Sequence, residues 1–253
     1  MGSNKLIGLI KMAFKYRTKG FIFKKNDINE SDRVFSIFTQ DFGRLEIKAK
    51  ALRKITSKLR ADIDIFYLSE IEFIQGKNNK TLTDAVKIKK FDTLQEDFKK
   101  FKIAHQVSEV LDNFLKGQQK DDKAFDLLNE FFDRINHNSL KIKNYQLVFQ
   151  YFFWNFLSVQ GYHLEVENCA TCRGRINPYN VYFSNKEGGI ICEDCLSYDK
   201  DAKRVNSDVI KILRLILKKD WDIISRLRVG LSSQNLLEEV CEDSARAFCP
   251  AHC

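Results

Sequence analysis

A chain of 253 residues with 44% apolar residues can bury a sizeable core, as one large domain or as two or three small ones, and is not a disordered polyelectrolyte. Its net charge of +8 is uneven: residues 1–90 hold 20 Lys and Arg against 10 Asp and Glu, and the remainder holds 22 against 24, so the excess points to a polyanion met by the first third. No apolar run reaches the roughly 20 residues of a bilayer-crossing helix and the opening MGSNKLIGLIK is too broken for a secretory signal. A cytoplasmic protein is expected, its seven cysteines serving as thiols or metal ligands rather than disulfides.

Residues 1–17 are expected to be a lead-in. Strands follow, because apolar residues then alternate at period two: Phe21 and Phe23, then Val34 and Ile37, then Leu45, Ile47 and Ala49. Polar turns at Asn26–Asp32 and Asp41-Phe42-Gly43 separate them. A fourth run spans Ala61–Gln75, with Ile63, Ile65, Tyr67, Ile71 and Phe73. A fifth spans Lys80–Lys89, after the turn signal Gly76-Lys77-Asn78-Asn79. Five short strands over residues 18–91 fit a small barrel of the OB-fold kind. From Arg44 to Arg60 the sequence carries Arg44, Lys48, Lys50, Arg53, Lys54, Lys58 and Arg60 against one acid, Glu46. These seven are the candidate nucleic-acid contacts, since a cationic strand-to-loop junction neutralises phosphates.

Near Asp92 the period becomes helical. One helix is expected over Thr93–Leu115, stopped by Gly117, a second over Lys123–Ile135, and a third over Lys143–Gln160. The third carries Tyr145, Tyr151, Phe152, Trp154 and Phe156 almost all round, so it is expected to be the buried rod of a helical domain over residues 92–240. Further helices are expected from Ser207 as N-cap to Lys218, around Trp221–Leu227, and from Ser232 or Ser233 to Val240.

Within that domain, at residues 165–200, Cys169-Ala-Thr-Cys172 and Cys192-Glu-Asp-Cys195 are separated by 19 residues. Two thiolates per tight turn, joined by a hairpin with Val181, Phe183 and Gly188-Gly189, predict a closed, structural four-thiolate zinc site. His163-Leu-Glu165 before the first pair is not a deaminase motif. The spacing is too short, no proline precedes Cys169, and such a site leaves Cys192 and Cys195 unexplained. The tail at 241–253, with Cys241, Cys249, His252 and Cys253, has no periodic apolar face and is expected to fray, a second metal site being the alternative.

There is no GxxxxGK[ST], GxGxxG or HExxH, and the four histidines are scattered, so no enzyme is expected. The fold class is therefore α+β multidomain: an OB-fold-like N-terminal barrel, then an all-α domain with a four-cysteine zinc-ribbon-like insertion. Three functions remain open: a nucleic-acid-binding factor, a protein-interaction scaffold built on the aromatic helices, and a zinc-ribbon RNA-binding factor.

The runs Gly20-Phe-Ile-Phe, Glu30-Ser31-Asp32-Arg33-Val34 and Phe38-Thr39-Gln40-Asp41-Phe42-Gly43-Arg44-Leu45, followed by Lys50-Ala51 and Ser57-Lys58-Leu59, resemble the bacterial recombination mediator family RecO. The four cysteines within a helical domain are similar to that family too. The resemblance implies a non-enzymatic, nucleoid-associated protein that binds single- and double-stranded DNA and anneals complementary strands. It also implies partnership with RecR, contact with the single-strand-binding protein and help in loading RecA. Two departures stand out: an extension before about Lys15, and the Cys-rich tail where the family continues with apolar helix.

Overall fold

The computed structural model describes residues 14–137 and 142–249. It divides into two units, Met1–Lys90 with Gly117–Lys120, and Phe91–Lys116 with Asp121–Cys253.

In the first unit, β1 (Lys15–Asp27), β2 (Arg33–Thr39), β3 (Gly43–Ala49), β4 (Tyr67–Gln75) and β5 (Lys80–Lys90) pair in the order β1-β2-β3-β5-β4, and β4 returns to β1. The ring closes through a narrow parallel seam between β3 and β5, Ile47 opposite Lys80 and Lys48 opposite Thr81. This is the strand order of an OB-type barrel, nearly open at one seam. Its interior holds Ile22, Phe35, Ile37, Leu45, Ile47, Ile71 and Phe73.

Alternation predicted β3 and Ile37 of β2 correctly, and did not separate the inner from the outer face in β1 or at Val34. Ile22 belongs to the barrel core, and Phe21 and Phe23, buried as well, alternate with it on the other face of β1. Every residue from Gly20 to Phe23 is buried, so both faces of β1 are covered there and alternation alone does not tell which is inner; the register then shifts between Ile22 and Lys24. In β2 the inner positions are Phe35 and Ile37, and Val34 is half-exposed. β1 also starts at Lys15, inside the expected lead-in, where Lys15 and Tyr16 pair with Ile74 and Phe73 of β4. The fourth strand is shorter than expected. Lys58–Ala61 forms a 3-10 turn, and Phe66 takes a φ of 61° while its N–H reaches the Ile22 carbonyl at 2.7 Å. Gly20 is a place for glycine alone: a Cβ there would lie 2.4 Å from Ile37 Cγ2, which is locked in the core.

In the second unit, α1 (Asp92–Glu96), α2 (Phe98–Phe114), α3 (Asp122–Ile135) and α4 (Tyr145–Val159) precede the cysteine region. The single helix expected over Thr93–Leu115 is two. Asp97 is extended, and its carboxylate accepts from the N–H groups of Lys99 and Lys100, capping α2 and ending α1. Asp121 and Asn144 cap α3 and α4 in the same way. α4 is buried on all sides, as its aromatic perimeter predicts. Phe152 packs on Phe131 and Phe156, and Tyr151 meets Trp221 edge-on. Asn155 crosses from α4 to donate to the Ile216 carbonyl at 3.0 Å, so a polar group in the rod finds a buried partner.

After the cysteine region come α5 (Ser207–Leu217), α6 (Trp221–Arg226) and α7 (Leu231–Phe248). The cap of α5 is Asn206 rather than Ser207, its side-chain oxygen accepting from Val209 N–H. The tail expected to fray continues α7. Leu237, Val240, Cys241 and Ser244 are all buried, at helical spacing. The stripe is hard to see in the sequence because its second half is Cys and Ser rather than aliphatic. Burial pushes the Cys241 thiol well above its ordinary value, so it fills the core as a neutral thiol. His252 and Cys253 lie outside the described residues.

Candidate nucleic-acid interface and metal centre

With Leu45, Ile47 and Ala49 turned inward, β3 presents Arg44, Glu46 and Lys48 outward, and Lys50 follows it in the turn. The seven predicted basic residues then separate into two groups. Arg44 and Lys48 are half-buried and held by acids: Arg44 bonds Glu46 at 3.1 Å and lies over the Phe23 ring, and Lys48 pairs with Asp32 at 2.9 Å. Lys50, Arg53, Lys54, Lys58 and Arg60 are exposed along the β3–β4 loop. Arg53 reaches the Asn29 carbonyl and Asp27. Lys50, Lys54, Lys58 and Arg60 make no side-chain ion pair among the described residues.

This loop is held in shape from both sides. Leu52 is buried in the barrel core and Leu59 packs on it. On the other side stands the β1–β2 turn. Asp32 accepts from Ala51 N–H at 2.9 Å, Asn29 caps the turn by accepting from Ser31 and Asp32 N–H, and Arg53 N–H donates to the Ser31 carbonyl. The segment Glu30-Ser31-Asp32-Arg33 is thus a clamp on the basic loop. Single-residue patterns could not reveal it, because its partners lie about twenty residues downstream.

Hydrogen bonds from Ala51 N–H, then Lys48 and Asn29, hold the Asp32 carboxyl far below the usual carboxylate range. A depressed carboxylate stabilises the fold fully above its unfolded value, about 3.9, and loses that contribution as pH falls through the folded one. The clamp therefore holds at neutral pH and opens only in strong acid. Asp32→Asn is expected to speed amide exchange at Ala51 and Arg53 on the order of tenfold while barrel-core amides stay protected. Unchanged exchange at Ala51 would remove Asp32 from this role.

The cysteines lie on two tight turns bridged by a small sheet. β6 (Val181–Ser184) and β7 (Gly189–Cys192) form the expected hairpin, and β8 (Lys203–Val205) pairs with β6. Glu165 organises the first turn. Its carboxylate accepts from Glu167 and Asn168 N–H and pairs with Arg173, which together lower its pKa. Its backbone exchanges bonds with Gly188 and Ile190. A Cβ at Gly189 would lie 2.2 Å from the Glu165 carbonyl oxygen, so the close approach demands glycine.

The four sulfur atoms lie within 4.8 Å of one another, and Cys172 Sγ is 3.8 Å from Cys192 Sγ. A tetrahedral ion with bonds near 2.3 Å separates its sulfurs by about 3.8 Å, so the cluster fits one ion with a slight contraction. Cys169 and Cys195 are buried, Cys192 is half-buried and Cys172 is exposed. Burial alone would raise the Cys169 thiol, but N–H groups of Cys172, Cys192 and Thr171 bring it down to about 6. Burial, then its sulfur neighbours, pushes Cys195 up to about 12. Four thiolates in so small a space require a cation among them. The four cysteines can hold a metal ion.

Residues 12–91 match the family described as recombination protein O N terminal, and residues 95–243 match recombination protein O C terminal. The chain belongs to the RecO family. Among its relatives, the DNA repair protein RecO of Caldanaerobacter subterraneus is 29% identical over 213 residues, 84% of each chain. That of Dehalococcoides mccartyi is 28% identical over 223 residues, 88% of this chain and 86% of its own. That of Roseiflexus is 26% identical over 218 residues, 85% and 74%. The RecO matches take in all of β1 and most of α7, two elements that run past the domain limits expected from periodicity. No helix among the described residues is long and apolar enough to cross a membrane.

Proposed function

We propose that this chain is a recombinational DNA-repair mediator. It binds single- and double-stranded DNA, anneals complementary strands and, with RecR, assists loading of RecA onto DNA coated by the single-strand-binding protein. It acts in the cytoplasm at the nucleoid and carries no catalytic site. The supporting observation is the preformed β3–β4 loop, where Lys50, Lys54, Lys58 and Arg60 face solvent with no acid to neutralise them among the described residues. Such a loop binds phosphates without reading sequence, so it suits two strands whose own repulsion opposes pairing. Family membership supports the repair role. The four-thiolate centre holds Zn2+ in a structural capacity, the donor set and spacing being those of a closed zinc site.

A partner surface belongs to the helical unit. A cavity of about 820 Å3 is flanked by Phe98, Lys99, Lys102, Lys143 and Arg228, with Glu238 as an acid on its wall. Phe98 is 80% exposed. Cations around an open aromatic fit an acidic segment carrying an apolar side chain, and the single-strand-binding protein is the partner assigned to it.

The test is annealing of complementary strands, bare and coated by the single-strand-binding protein. Acceleration of both is expected, and Lys99→Glu with Arg228→Glu should abolish only the coated reaction. No acceleration on bare strands would overturn the mediator reading. Structured RNA that competes as well as single-stranded DNA would favour an RNA-binding factor.

A further inference from the structure

We infer that Ile55, the most exposed large apolar residue of the β3–β4 loop, is a wedge that enters the base stack of a bound single strand. The inference rests on the reading that this loop binds DNA. Ile55 is 94% exposed, whereas Leu52 on the same loop is 2% exposed and locked in the barrel core. A single exposed apolar side chain is ordinary. Here it stands within five residues of Lys50, Lys54, Lys58 and Arg60, which carry no ion pair among the described residues, and of Arg53, which pairs with Asp27.

The loop also aims the side chain rather than letting it drift. Ala51 adopts a φ of 54°, Lys54 N–H closes on the Ala51 carbonyl at 3.2 Å, and Ser57 N–H closes on the Lys54 carbonyl at 3.0 Å. Two successive turns, 51–54 and 54–57, therefore fix this stretch, with Ile55 inside the second. Arg53 Nη1 ties the loop to Asn29, and the neighbouring turn carries a second exposed aliphatic, Ile28. Cations that grip phosphates on either side would bring the bases over this turn.

Isoleucine has no aromatic face for stacking, so its way of meeting bases is to push between neighbours and separate them, as apolar wedges do in kinked DNA. Separation costs least where the strand is already unpaired, which selects single-stranded over duplex DNA.

The test uses the full chain and single-stranded oligonucleotides with 2-aminopurine at successive internal positions, a base that brightens when unstacked. At saturating protein, the native chain should raise the fluorescence at some positions. Ile55→Ala should bind roughly threefold more weakly, with an unchanged salt slope and without that rise. Ile55→Trp should restore binding and unstacking. A rise that survives Ile55→Ala, or no rise when the native chain is saturated, overturns the wedge and leaves the DNA-binding loop standing. Absence of binding by the native chain, or a salt slope indifferent to loss of Lys54, Lys58 and Arg60, instead overturns the DNA-binding reading, and the wedge falls with it.

Discussion

Cys169→Ser is expected to abolish metal loading and to lower the melting temperature by about 10 °C. Structural zinc in metal-folded peptides contributes apparent binding energies of about 10–16 kcal/mol, but a ribbon inside a larger domain can open locally, so only a fraction of that reaches global stability. What couples the two here is shared packing. Val181 and Ile190 are buried in the hairpin, and Phe183 packs on Trp154 of α4 at 5.8 Å. Ser244 of α7 donates to Asn185, in the loop that closes the hairpin. Unravelling the ribbon therefore uncovers some of the helical core, a loss of roughly 3–5 kcal/mol, and each kcal/mol moves the midpoint of a chain this size by about 2–4 °C. Elemental analysis should give one zinc per native chain and none in the variant. Occupancy should also fall in acid, because thiolates must be formed to bind the ion. A native chain that carries no metal and melts together with Cys169→Ser would refute the structural role.

The cysteine centre was the most legible region of the sequence, because its information is local: two residues per turn at fixed spacing. The same is true of α4, whose aromatics leave no polar face and so admit only burial. The barrel was legible in strand number and in β3, where the pleat is undisturbed. Its inner face was not legible in β1, because Phe21, Ile22 and Phe23 are all buried and apolar on both faces. The basic loop was visible as composition, but its internal division was not. Lys48 and Lys50 look alike in sequence, yet one is engaged by Asp32, sixteen residues earlier, and the other is exposed. Capping decided the remaining differences, since Asp97 and Asn206 outcompeted the neighbouring helical positions for the first N–H groups.

That division sets the second large effect. Replacing Lys50, Lys54, Lys58 and Arg60 together with alanine should flatten the dependence of log affinity on log salt by about 3, since each phosphate neutralised on a single strand contributes about 0.7. At about 0.1 M salt, affinity for single-stranded DNA should drop by two to three orders of magnitude, roughly what the lost counterion release provides. Stability should change little, because none of the four side chains is paired among the described residues. Lys48→Ala is the contrasting variant. Lys48 is held by Asp32, so its loss should loosen the loop and move the salt slope by less than one phosphate contact. Titrations monitored by fluorescence anisotropy over a salt series separate the two. If Lys48→Ala flattens the slope as much as any exposed lysine does, the loop is not the preformed phosphate clamp that its hydrogen bonds describe. If the quadruple variant keeps the native slope, the strand runs over another face of the protein.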